Sequence, residues 1–80
     1  MRFTYDPKYN IAYFKFQEKS MEVQTLKISD ELNIDIAPDG TVYGIELLNA
    51  NEQINRLDEG KLLIINKLTG GKAEIPLNRI

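Results

Sequence analysis

Residues 29–49 read SDELNIDIAPDGTVYGIELLN, and their pattern decides the fold. Leu32, Ile34 and Ile36 alternate with Asn33 and Asp35, the period of a strand with one apolar and one wet face. Ala37-Pro38-Asp39-Gly40-Thr41 is turn chemistry: Pro38 presets φ, the Asp39 carboxylate can bond its own backbone, and Gly40 tolerates a left-handed conformation. A second strand is expected over residues 41–48. The stretch is therefore a β-hairpin, but its register stays open. A three-residue loop puts Val42 opposite Ile36 and Glu46 opposite Leu32, leaving both faces apolar. A four-residue loop puts Tyr43 beside Ile34 and Ile45 beside Leu32. Turn chemistry favours the first and hydrophobic matching the second, and a one-residue slip reverses every side chain.

Strand signals continue on both sides. Residues 2–5 form a short aromatic strand, and Asp6-Pro7-Lys8-Tyr9-Asn10 reads as a turn set by Asp6 and Pro7. Residues 11–17 (IAYFKFQ) form the next strand. Ala12, Phe14 and Phe16 lie on one face, with Ile11, Tyr13 and Lys15 on the other. Phe14 is expected in the main core. Residues 21–28 form a third strand whose apolar phase slips between Val23 and Leu26, which predicts a bulge near Gln24-Thr25.

Beyond the central hairpin, residues 51–59 are predicted to be a short helix. Asn49 and Glu52 fit a capping box, Ile54 and Leu57 share a side, and Gly60 suits the stop. Residues 61–78 then read as a C-terminal hairpin, with a turn at Leu68-Thr69-Gly70-Gly71 and Pro76 marking an edge. Its first strand carries Leu62, Leu63, Ile64 and Ile65 in succession, so apolar side chains occupy both faces. The fold class is α+β, mostly β: an antiparallel β-meander sheet with one short helix and a C-terminal β-hairpin. Residues 1–80 are expected to form a single domain, with residues 1–50 as its β core.

Composition narrows the chemistry. The 80 residues include neither cysteine nor histidine. Disulfides, thiolate metal sites and cysteine nucleophiles are excluded, and so are the commonest neutral-pH base and transition-metal ligand. A chain this short buries only about 60–65% of its unfolded surface and leans on a staple. With disulfides gone, oligomerisation is the most available one. No apolar run approaches the ~20 residues of a membrane helix, and residues 1–10 lack a signal-peptide core, so a cytoplasmic location is expected. The net charge of −2 is unevenly spread: residues 1–28 carry +2, residues 29–59 carry −7 and residues 60–80 carry +3.

Two segments carry a family resemblance. Tyr5-Asp6-Pro7 followed by Ile11-Ala12-Tyr13-Phe14 resembles the "YDP…ALYI" opening of the bacterial domain of unknown function 2283 family. Ser29-Asp30, Asn33-Ile34-Asp35, Asp39-Gly40 and Val42-Tyr43-Gly44-Ile45-Glu46-Leu47-Leu48 resemble its second motif, "SDGVNVDYDEDGRVVGIEIL". The two occur in order at compatible spacing over residues 1–50. Glu31 stands where the family has Gly, Tyr9 stands where it has a small residue, and residues 61–80 extend past the usual domain. The resemblance implies a small antiparallel sheet with a helix and no assigned activity. Some similar proteins sit beside toxin-like genes, which implies an antitoxin-like role.

No constellation points firmly to catalysis. Asp35 and Glu46, with Asn33 nearby, share a polar face where a carboxylate pair could act on protons or hold a hard cation. Solvated strand residues are the plainer reading. Phe3, Tyr5, Tyr9, Tyr13, Phe14, Phe16 and Tyr43, near Arg2, Lys8, Lys15 and Lys27, could stack nucleobases. The pI of about 5.0 argues against nucleic acid. Gly70-Gly71-Lys72 lacks the rest of a phosphate loop, and Ser20 and Ser29 have no histidine to activate them. The sequence thus points to a non-catalytic interaction module without cofactor or metal. It is expected to form a homodimer through Leu62, Leu63, Ile64 and Ile65, or to bind an unidentified protein partner. Nucleic-acid binding is the alternative, and a small metal-dependent enzyme is the least favoured reading.

Overall fold

The computed structural model describes residues 1–18, 22–56 and 58–77, without the Asp58 side chain. The expected strand start at Met21, the Leu57 contact of the helix, Ser20 and the hairpin end at Asn78 lie outside the described residues. The chain divides into two units, Met1–Ala50 and Asn51–Ile80.

The first unit holds five strands: β1 (Arg2–Asp6), β2 (Ile11–Lys15), β3 (Gln24–Ser29), β4 (Leu32–Ile36) and β5 (Val42–Leu48). All pair antiparallel in the order β1-β2-β5-β4-β3. Strands β3–β5 form the meander, and the β2–β3 connection crosses to the far edge, so that β2 lies beside β5 in a Greek-key order.

The turns follow local chemistry. Asp6 Oδ1 accepts the Lys8 N–H at 2.9 Å, just before Asn10 turns left-handed at φ 56°. In the central hairpin the Gly40 N–H donates to the Ala37 carbonyl at 2.9 Å, and Asp39 Oδ1 accepts the Thr41 N–H at 2.9 Å. Gly40 has φ 92°, where a Cβ would be strained although nothing crowds the position.

The register of this hairpin is neither of the two that loop length suggests. Ile36 faces Val42, as the turn demands, but Asp35 faces Gly44 and Ile34 faces Ile45. Tyr43 is an additional residue in β5, a bulge that moves Leu47 opposite Leu32. Turn chemistry and hydrophobic matching are both satisfied, and the sheet keeps one apolar face. That face carries Phe3 and Tyr5, Ala12 and Phe14, Ile45 and Leu47, Leu32 and Ile34, as the pairing registers align them. A second irregularity lies between Lys27 and Ser29, so the bulge of β3 falls at Ile28 rather than near Gln24-Thr25.

The core is thin. Among the described residues the buried apolar side chains are Ala12, Ala37, Tyr43 and Ala50, and no large side chain is fully enclosed. Phe14 packs against Phe3 with ring centroids 4.7 Å apart, but it is only half-buried. It belongs to the apolar face as expected. That face is wetter than a sealed core, because one sheet of short strands has too little depth to surround a ring.

The helix α1 spans Ala50–Arg56, beginning on the last residue of the first unit, and a 3-10 turn covers Asp58–Gly60, in place of one helix over residues 51–59. Glu59 carries φ 55°, which interrupts helical geometry. Asn49 is left-handed at φ 52°, whereas an N-cap residue is extended. Its side-chain oxygen accepts Asn10 Nδ2 at 3.3 Å. Strands β6 (Lys61–Ile65) and β7 (Lys72–Pro76) pair antiparallel as a separate two-stranded sheet. Asn66 Oδ1 accepts the Leu68 and Thr69 N–H groups at 3.0 and 3.2 Å, and Gly70 and Gly71 lie in this hairpin turn. No helix among the described residues is long and apolar enough to cross a membrane.

Candidate functional site

The polar face of the five-stranded sheet carries a network of side-chain hydrogen bonds. It presents Arg2 and Thr4 from β1, Tyr13 and Lys15 from β2, Gly44 and Glu46 from β5, Asn33 and Asp35 from β4, and Thr25 and Lys27 from β3. The alternation of each strand and the pairing registers fix this set.

Tyr13 organises the face. Glu46 is its register partner on β5, while Gly44 is two residues away on the same strand. The Tyr13 ring leans across Gly44, so a Cβ there would overlap the ring and the Phe14 carbonyl oxygen. Only because Gly44 lacks a side chain can the phenol pass over β5 to reach β4. There its O–H donates to Asp35 Oδ2 at 2.7 Å. Thr25 on β3 donates to Asp35 Oδ1 at 2.6 Å. One hydrogen-bonded rail therefore ties β2, β4 and β3, passing over β5 at Gly44. A second tie runs from Asn33 Nδ2 to Glu46 Oε1 at 2.9 Å.

The electrostatics assign roles. Partial burial pushes the Tyr13 phenol up to about 12, with the Asp35 hydrogen bond and the Asp35 and Glu46 charges adding to it. Tyr13 is thus a neutral donor, a poor base and a poor nucleophile at ordinary pH. Asp35 accepts two hydroxyl protons in short bonds, one on each carboxylate oxygen, so both oxygens are engaged within the sheet. Asp35 and Glu46 do share one face, as the sequence suggests. They stand at staggered positions, facing Gly44 and Asn33 respectively, each with its own donor. Among the described residues no three acidic side chains converge as metal ligands.

Beside the rail lies an open depression of about 390 Å³ lined by Arg2, Thr4, Tyr13, Lys15 and Glu18. Arg2 and Lys15 face each other in register, and Lys15 pairs with Glu18 at 2.9 Å. That contact holds the Glu18 carboxyl below its usual range. The aromatics expected to stack bases are divided by the sheet. Phe3, Tyr5 and Phe14 lie on the apolar face, away from Arg2, Lys15 and Lys27. Tyr9 stands exposed with Lys8 Nζ 5.2 Å from its ring centre.

The hairpin residues behave differently. Leu62 is half-buried, while Leu63, Ile64, Ile65 and Ile75 are 40%, 53%, 53% and 44% exposed. Lys61 and Glu74 pair at 2.9 Å across the hairpin, which raises the Lys61 ammonium's pKa.

Sequence reasoning placed Asp35, Glu46 and Asn33 but did not find the rail. Tyr13 entered only as one of several aromatics, and Thr25 and Gly44 entered no candidate site. The available signal was Gly44 itself, since a glycine inside a strand marks a bulge or a close approach. Both occur there.

The sequence model of the family described as protein of unknown function (DUF2283) matches residues 2–51. The chain belongs to that family. No curated protein and no solved structure matches it. The DUF2283 match spans all five strands of the sheet and the start of α1, so it includes every residue of the rail. The β6–β7 hairpin lies outside it.

Proposed function

We propose that the protein is a non-catalytic interaction module that self-associates through the β6–β7 hairpin. The observation that carries this reading is the exposure of Leu63, Ile64, Ile65 and Ile75 on a two-stranded sheet. Such a hairpin is marginal by itself, and apolar side chains exposed on both of its faces mark it as an interface. The thin core points the same way, because a small chain without disulfides gains stability from a partner subunit. The polar face supports a structural role: its carboxylates and phenol are engaged with one another rather than aimed at a shared vacant point. The placement of Phe3, Tyr5 and Phe14 on the face opposite Arg2, Lys15 and Lys27 weighs against a base-stacking platform. An antitoxin-like capture of a neighbouring protein is the biological form the family resemblance suggests for the module.

Sedimentation equilibrium at micromolar concentration tests the reading. The expected mass is twice the 9.2 kDa of one chain. A single 9.2 kDa species across that range overturns it.

A further inference from the structure

The two sheets present four strand edges, and they are protected unequally. The β1 edge begins at Arg2 and ends at Asp6-Pro7. The β3 edge carries Lys27 and the bulge at Ile28. The β7 edge carries Lys72, Glu74 and Pro76. Lysines, prolines and bulges are the devices that stop an edge from accepting another strand. The β6 edge has Lys61 and then four apolar residues, with no proline and no bulge.

Hydrogen-bond phase shows which backbone groups that edge offers. The Asn66 N–H donates to the Gly71 carbonyl, and the Leu77 N–H donates to the Gly60 carbonyl, both at 2.8 Å. Gly60 and Asn66 therefore turn their polar groups toward β7, and so do Leu62 and Ile64, which alternate between them. Lys61, Leu63 and Ile65 turn theirs away, toward an edge that no described strand occupies. On β7 the outward residues are Lys72, Glu74 and Pro76, and Pro76 has no N–H to give.

From this we infer that β6 is the docking edge for β6 of a second copy, antiparallel about a twofold axis at Leu63. This deepens the self-association reading and rests on it. With Leu63 opposite the partner's Leu63, Lys61 and Ile65 fall opposite the partner's Ile65 and Lys61. All three outward residues then exchange N–H and C=O groups. Sliding by two residues leaves one outward residue of β6 without a strand partner, and in one direction sets Lys61 opposite a second Lys67. The chosen register avoids both. It yields a four-stranded sheet β7-β6-β6-β7 in which Leu62, Ile64, Ala73 and Ile75 of both copies form one apolar face. The twofold operator makes the contact self-complementary and closed, so the assembly stops at two.

The absence of native cysteine makes the register testable with single cysteines. Leu63→Cys in the full chain should form an intermolecular disulfide under a mild oxidant. Paired strands place those two Cα atoms about 5.5 Å apart, inside the disulfide range. Ile65→Cys should cross-link at least about tenfold more slowly, since its two copies would lie roughly 13 Å apart along the strand. In the unmodified protein, the Lys61, Leu63 and Ile65 amides should exchange at least about tenfold more slowly in the dimer than on dilution to monomer. A dimer that leaves those amides fast and cross-links Ile65→Cys as readily as Leu63→Cys overturns edge pairing while the self-association reading stands. A protein that is monomeric throughout overturns both.

Discussion

The five-stranded sheet and the β6–β7 hairpin solve the same problem in opposite ways. Both are antiparallel and both carry more apolar surface than so short a chain can cover. The sheet segregates it: the bulge at Tyr43 keeps Ile34, Ile45, Leu32 and Leu47 on one side, and the rail from Tyr13 through Asp35 to Thr25 locks the other. The hairpin has no such segregation around β6, where Leu62 and Ile64 point one way and Leu63 and Ile65 the other. A sheet that segregates its apolar side chains needs cover on one side only, whereas a strand apolar on both faces leaves one side uncovered whichever face packs.

The contrast breaks first at Gly44. A valine there must displace the Tyr13 ring, so Gly44→Val should lose both packing and the Asp35 hydrogen bond, about 3 kcal/mol in urea unfolding. A loss under about 1 kcal/mol would mean that the ring moves aside freely and the rail is ornamental. Next in size is Phe14→Ala. A fully buried phenylalanine costs about 3–5 kcal/mol, but this one is half-wet, and about 2–3 kcal/mol is expected. A larger cost, dependent on protein concentration, would show that association also seals the sheet's apolar face.

Tyr13→Phe removes one hydrogen bond without changing shape and should cost about 1 kcal/mol near neutral pH. Its sharper signature is alkaline. The folded-state phenol at about 12 lies above the unfolded value of 10.0. The native state therefore holds that proton more tightly. The stabilisation is complete below pH 10 and is lost as pH rises toward 12. Urea midpoints measured across that window should fall in the parent and flatten in Tyr13→Phe. Equal slopes would remove Tyr13 from the account.

The smallest effect on stability is expected in the hairpin. Ile64→Thr keeps the branched β-carbon that strands favour, and should change monomer stability by less than about 0.5 kcal/mol. It should nevertheless weaken self-association by roughly tenfold, about 1.4 kcal/mol, measured by sedimentation. If instead the monomer unfolds and association is unchanged, Ile64 serves an internal core and the contrast between the two regions fails.

The sequence by itself determined the local and the periodic. Alternation in residues 32–36, the Asp6-Pro7 and Pro38-Asp39-Gly40 turns, the hairpins and the short helix are set by side-chain period and by residues a few positions apart. The family's two motifs were legible for the same reason. What tertiary structure decided involves strands that meet from afar. The Tyr43 bulge arises because β5 must satisfy its turn with β4 while also setting Ile45 against Phe14 and Leu47 against Ala12 of β2. No pairwise reading of the β4–β5 hairpin contains that second demand. The rail is hidden more deeply, since it joins residues from three strands through the missing Cβ of Gly44 on a fourth. An absent side chain leaves no periodic trace in sequence, and its consequence falls on Tyr13, brought beside it only by the pairing of β2 with β5.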